Sequence, residues 1–245
     1  MANLIDKIGG VPMPTMTLFL ALDTSGSMEG EKVGALNAAL DEVVPELKDM
    51  SASAADARIK IAALQFSNGA EWLTPGGPIE AEQYHWSHVT ADGLTDFGEA
   101  CKELNAKLST RAFMKETTSC YAPVIILMSD GVPTDDWTRP LADLKQNKWF
   151  KAAIKIALAI GKDADKNVLR EFTGNPEAVV EVHNKAMLRK MIRFVTVRAS
   201  AVASTSSNVG AATTDEDKQV EMNEAIADYV AEFAAAPGHS DDIDW

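Results

Sequence analysis

Two runs of apolar residues, 16–22 (Met-Thr-Leu-Phe-Leu-Ala-Leu) and 122–128 (Ala-Pro-Val-Ile-Ile-Leu-Met), each stop abruptly on a cluster of acids and hydroxyls. Continuous apolar character, rather than alternation, is what a strand buried on both faces requires, and such strands occur where helices cover a parallel sheet above and below. Residues 58–66, 152–160 and 179–182 read as further strands. Between them the period changes. Val33, Leu36, Leu40, Val43 and Leu47 recur three and four apart, which puts them on one face of a helix over 31–50. Pro45 falls inside that helix and is expected to kink or shorten it.

Helical patterns follow at 97–108, 139–148, 163–172 and 185–199, so strands and helices alternate along the chain. That alternation predicts an α/β fold: a doubly wound, mostly parallel sheet with helices on both faces. Ser67-Asn68-Gly69 reads as a tight hairpin turn, making residues 70–73 an antiparallel edge strand. Residues 74–89, which hold Pro75, Gly76-Gly77 and Pro78, read as a loop with a short helix near 80–84. Thr95 or Asp96 is placed to cap the helix that begins at 97.

The expected organisation is an irregular lead-in over 1–14, one domain over 15–205, and a linker, helix and acidic tail over 206–245. The last helix is expected to begin at Thr213-Thr214-Asp215-Glu216 and to carry one stripe of Met222, Ile226, Tyr229, Val230 and Phe233.

With 23 basic against 36 acidic residues, the formal net charge is −13. A phosphate surface attracts clustered Lys and Arg, so this balance opposes binding to nucleic acid or to an anionic membrane. No run of about 18 apolar residues exists to span a bilayer, and the first residues lack the apolar stretch of an export signal. A cytoplasmic protein is expected, with Cys101 and Cys120 as free thiols.

In a doubly wound sheet the loops after adjacent parallel strands share one rim, where ligands bind. Three segments meet there: Asp23, Ser25 and Ser27 after the first apolar run, Thr95 in Gly93-Leu94-Thr95-Asp96, and Asp130 after the second run. Carboxylates and hydroxyls are hard oxygen donors, suited to Mg²⁺ or a similar cation. Taken singly, each segment also reads as a helix cap. Asp23-Thr24-Ser25-Gly26 has some likeness to the Asp-Thr-Gly of aspartic proteases, but the inserted serine and the α/β pattern argue against that chemistry. His85 and His88 read as an exposed loop turn rather than a metal pair.

Asp23-Thr24-Ser25-Gly26-Ser27, Gly93-Leu94-Thr95-Asp96 and Ser129-Asp130-Gly131 together resemble the von Willebrand factor A domain with its metal-ion-dependent adhesion site. The resemblance covers residues 15–200 and implies a Rossmann-like fold. It also implies that Ser25 and Ser27 bind Mg²⁺ or Mn²⁺ directly, with Thr95 joining directly or through water, while Asp23 and Asp130 act mainly through bound waters. A protein partner would donate an Asp or Glu carboxylate to the remaining position, with Met28, Asp96 and Pro133 on the surrounding rim. The expected function is therefore protein binding without catalysis. The opening Leu22-Asp23-Thr24-Ser25-Gly26-Ser27-Met28 resembles stand-alone cytosolic bacterial members associated with tellurium resistance and stress response. Two alternatives remain: a metal-dependent hydrolase, and a scaffold subunit of an ATP-driven, chelatase-type complex. A tail aspartate at 241, 242 or 244 filling the metal position of a second copy is a further expectation.

Overall fold

The computed structural model describes residues 14–53, 58–115, 120–205 and 214–235. Its centre is β1 (Thr15–Asp23), all of whose residues are buried. On one side β1 pairs in parallel with β2 (Arg58–Ser67), and on the other with β5 (Val124–Ser129). Then β6 (Ile154–Ile160) and β7 (Val179–Val182) extend the sheet in parallel. The outer edge of β2 carries β3 (Gly69–Trp72) and β4 (Ile79–Glu80), both antiparallel. The order β3-β2-β1-β5-β6-β7 reverses direction between β1 and β5, so the crevice lies at their carboxyl ends. The doubly wound, mostly parallel α/β sheet expected from the apolar runs is thus the observed one.

Successive side chains of a strand point to opposite faces. Met16, Leu18, Leu20 and Leu22 enter one core, with α1 (Glu31–Ser53), α6 (Lys185–Thr205) and α7 (Asp215–Ala235). Phe19 and Ala21 enter the other, with α2 (Phe97–Lys107), α3 (Thr138–Leu144), α4 (Lys148–Ala152) and α5 (Lys166–Thr173). Helices therefore cover both faces.

Several local expectations change. Helix α1 runs unbroken through Pro45 to Ser53. Pro45 is on the exposed face, as is Asp41, so the carbonyl that proline leaves unpaired meets water. The single helix expected over 139–148 is two, α3 and α4, because Asn147 leaves the helical conformation and its Oδ1 accepts from the Trp149 and Phe150 amides. Its Nδ2 donates to the carbonyls of Asn105 and Leu108, closing the end of α2 as well. Helix α5 starts at Lys166 rather than 163, since Asp165 caps it through the Asn167 amide. Helix α6 continues to Thr205, beyond the expected end at 199. The short helix expected near 80–84 is present as a 3-10 turn at Ala81–Gln83, but the loop before it also holds a strand, since Ile79 and Glu80 pair with Ile61 and Lys60.

Helix α7 begins with a reciprocal cap: Thr214 Oγ1 accepts from the Asp217 amide, and Asp217 Oδ2 accepts from the Thr214 amide. Met222 and Ile226 are in the core, with Tyr229 and Val230 against it. The Phe233 side chain, the lead-in before Pro14 and the acidic tail lie outside the described residues. No helix among the described residues is long and apolar enough to cross a membrane.

One contact ties α7 to the sheet. Strand β7 pairs with β6 only from Ala157 onward, so the Lys155 backbone has no strand beside it on that edge. The Gln219 side chain takes the place of a strand there, with Oε1 accepting from the Lys155 amide at 2.9 Å and Nε2 donating to the Lys155 carbonyl at 3.2 Å. Gln219→Ala removes both bonds and is expected to cost about 1–3 kcal/mol. Urea unfolding measures the loss, and amide exchange should show α7 opening before the rest of the domain.

Candidate metal centre

The site is built at the sheet's switch point. Asp23 is the last residue of β1 and Ser129 the last of β5, and because Leu22 pairs with Met128 the two stand side by side. Ser129 Oγ donates to Asp23 Oδ2 at 2.6 Å, and in turn accepts from the Gly131 amide at 2.7 Å. Asp23 Oδ1 accepts from the Ser25 amide at 2.9 Å. Both oxygens of a fully buried carboxylate are thereby satisfied, and the first and third loops are joined.

The second loop is sewn to the first by backbone. The Gly26 amide donates to the Gly93 carbonyl at 3.1 Å, and the Asp92 amide to the Thr24 carbonyl at 2.9 Å. Gly93 has φ +82, and a Cβ there would run into the Asn68 side chain, which accepts from the Leu94 amide. That position requires glycine. The second loop joins the third through a matched pair: the Thr95 amide donates to Thr134 Oγ1, and the Thr134 amide to the Thr95 carbonyl, both at 2.9 Å.

These bonds bring the five expected residues to one end of the sheet. Asp23, Ser25, Thr95 and Asp130 are buried, while Ser27 is exposed. Ser25 Oγ and Ser27 Oγ lie 3.1 Å apart. Two ligands at right angles about Mg²⁺, with bonds of about 2.1 Å, stand about 3 Å apart, so the hydroxyl pair has the spacing of adjacent corners of an octahedron. Asp130 Oδ1 is buried and has no hydrogen-bond partner, while Oδ2 is 3.3 Å from Lys32 Nζ. An unpaired buried carboxylate oxygen calls for a cation or a bound water. The residues present therefore fit a hard divalent ion. Among the described residues no three His, Cys, Asp or Glu cluster to hold a metal, so any ion here depends on the hydroxyls.

The rim differs from expectation. Met28 is fully buried: the 3-10 turn Gly26–Met28 swings it back into the core that α1 covers. It cannot read a partner's surface. Asp96 is half-buried, and rather than capping α2 it accepts from the Gly69 amide at 2.7 Å. The Gly98 amide is instead capped by Asp135 from the third loop. Pro133 is half-buried in that loop. Large apolar side chains do stand out from the site loops, but they are Leu94, 56% exposed, and Val132, 49% exposed. Each sits beside a glycine in a segment without strand or helix period, which is the one sequence cue that could have singled it out. Sequence reasoning also missed Lys32. His85 and His88 are exposed and bond separately, to the Gln83 carbonyl and to Asp41.

Burial pushes Asp23 up to about 6, against the opposing bonds from Ser129 and Ser25 and with help from the charge of Asp130. Below about pH 4 both folded and unfolded chains carry the proton. Between 4 and 6 the unfolded chain releases it while the folded one holds it, so metal-free stability falls by roughly 3 kcal/mol across that window. Asp23→Asn is expected to flatten this slope, as read by thermal unfolding in EDTA from pH 4 to 7.

A sequence profile of the von Willebrand factor type A domain matches residues 17–194, which takes in all three loops. No curated protein matches the chain. Among solved structures, a von Willebrand factor type A protein from Catenulispora acidiphila is 18% identical with a TM-score of 0.55, covering 76% of this chain and 42% of its own. The pilus adhesin SpaC from Lactobacillus rhamnosus GG, in an open conformation, is 14% identical with a TM-score of 0.56, covering 74% and 29%. Proximal thread matrix protein 1 from the mussel byssus, with a zinc-occupied metal-ion-dependent adhesion motif, is 15% identical with a TM-score of 0.52, covering 74% and 48%. The chain spans less than half the length of each of these relatives, and at such identity their likeness speaks for the fold. With the profile running from β1 into α6 across the switch-point crevice, the chain belongs to the von Willebrand factor type A domain family.

Proposed function

We propose that this domain is a metal-dependent protein-binding module in which Asp23, Ser25, Ser27, Thr95 and Asp130 hold Mg²⁺ or Mn²⁺ and a partner donates an Asp or Glu carboxylate to the ion. The family as a whole often mediates metal-dependent protein interaction. The observation that carries the reading for this chain is the Ser25–Ser27 hydroxyl pair, spaced at 3.1 Å as adjacent ligands would be. Neutral hydroxyls next to the ion leave most of its charge unquenched, so it retains affinity for an outside carboxylate. Both Asp23 oxygens are already bonded and Asp130 is shared with Lys32, which leaves the acids to position the ion rather than act as a base. The domain on this reading is not an enzyme. Leu94 and Val132 flank the ligand loops and would pack on apolar residues beside the partner's acid. The likeness of residues 22–28 to the tellurium-resistance type supports a cytoplasmic role in bacterial stress response.

Calorimetric titration with Mg²⁺, Mn²⁺ and Zn²⁺ tests the site. Ser27→Ala, at an exposed position that leaves the core intact, is expected to weaken Mn²⁺ binding at least about tenfold. Absence of any metal binding by the wild type sinks the reading. A partner captured in Mg²⁺ should be released by EDTA. Leu94→Ala and Val132→Ala should each weaken capture by about 1–2 kcal/mol while leaving the metal titration unchanged.

A further inference from the structure

Lys32 is the second residue of α1, and its side chain is only 13% exposed. Its stem lies over Gly161 at the end of β6, where a Cβ would come within 2.8 Å of Lys32 Cε. The glycine makes room for it. From there the ammonium reaches Asp130 Oδ2 at 3.3 Å and Asp163 Oδ1 at 3.1 Å, bridging the loops after β5 and β6.

We propose that Lys32 is the built-in counter-ion of Asp130, holding that acid when no metal is bound and thereby setting how tightly the site takes a divalent cation. The inference rests on the metal-binding reading above. Lys32 engages one Asp130 oxygen and leaves the other, Oδ1, without a partner. A divalent ion drawn to Asp130 therefore meets a fixed positive charge on the same carboxylate, and two cations sharing one acid repel each other. Without Lys32 and without metal, the carboxylate stays buried with no opposite charge beside it, which destabilises the fold. The two states consequently respond in opposite directions to loss of the lysine. A lysine that only supported the fold would lower the stability of both states alike and leave metal affinity alone.

The test uses the full chain as wild type, Lys32→Met, which keeps the stem and removes the charge, and Lys32→Arg, which keeps the charge. Each is titrated with Mn²⁺ and melted in EDTA and in saturating Mn²⁺. Lys32→Met is expected to melt lower in EDTA, to bind Mn²⁺ about tenfold more tightly, and to show a larger Mn²⁺-induced rise in Tm. Lys32→Arg should stay near the wild type in all three. Should Lys32→Met fail to fold in EDTA but fold in Mn²⁺, that also supports the proposal. If it folds in neither, Lys32→Gln, which keeps a donor for Asp130, carries the same affinity comparison. Unchanged or weaker Mn²⁺ binding on loss of the charge overturns the role of Lys32 while the metal site stands. Absence of Mn²⁺ binding in wild type and variants alike overturns the metal-binding reading, and this inference with it.

Discussion

Asp23 places a carboxylate at the end of a strand buried along its whole length, where a charge is costly unless every lone pair is used. The chain meets that demand locally, with the Ser25 amide on one oxygen and the Ser129 hydroxyl on the other. Ser129 is held in turn by the Gly131 amide. The bonds that satisfy the acid are thus the bonds that fix the first and third loops, and they form from the chain's own groups. Burial still raises Asp23 to about 6, so the arrangement carries a cost at neutral pH that a nearby cation would relieve.

The second loop is fixed by other means, and the division matters chemically. Gly26 with Gly93, Thr24 with Asp92, and Thr95 with Thr134 join through backbone amides and carbonyls or through the Thr134 hydroxyl. The Ser25 and Ser27 hydroxyls lie 3.1 Å from one another, and the Ser25 side chain also acts on the Asp23 carboxylate. The bonds that hold the second loop are thus made by groups other than the hydroxyls proposed as ligands. Such a division lets the loops be held before anything binds, while the two acids are themselves engaged, Asp23 by Ser25 and Ser129 and Asp130 by Lys32.

This division also explains what the sequence made legible. The strands that end at Asp23 and Ser129 were readable because burial on both faces leaves an unbroken apolar run, and the loops proposed to carry Asp23, Ser25, Ser27 and Asp130 toward an ion begin where such runs stop. The edge strand after Asn68 followed from its turn residues. What stayed hidden depends on contacts distant in sequence. The pairing of Ile79 and Glu80 needs only two residues against β2, too short for any period to register. The cap of α2 comes from Asp135 in another loop, so the nearby Thr95 and Asp96 misled. Met28 follows four polar or small residues and looks like surface, yet a single 3-10 turn returns it to the core. Lys32 reads as an ordinary helix-face charge until β5 and β6 bring Asp130 and Asp163 beneath it.

The formal charge of −13 sharpens what the proposed partner must offer. An acidic partner approaching an acidic domain is repelled, but at physiological salt that repulsion fades beyond about 8 Å. Attraction must therefore be built at contact range. A bound ion would supply a concentrated positive charge there, with the Lys32 ammonium close behind Asp130. Charge alone would take any carboxylate, free acetate included. Leu94 and Val132, left exposed on the two loops that carry Thr95 and Asp130, add an apolar contact that a lone carboxylate cannot make. On the proposed reading, selectivity for a protein segment over a small anion would rest on these two side chains, because the coordination bond would be the same for both.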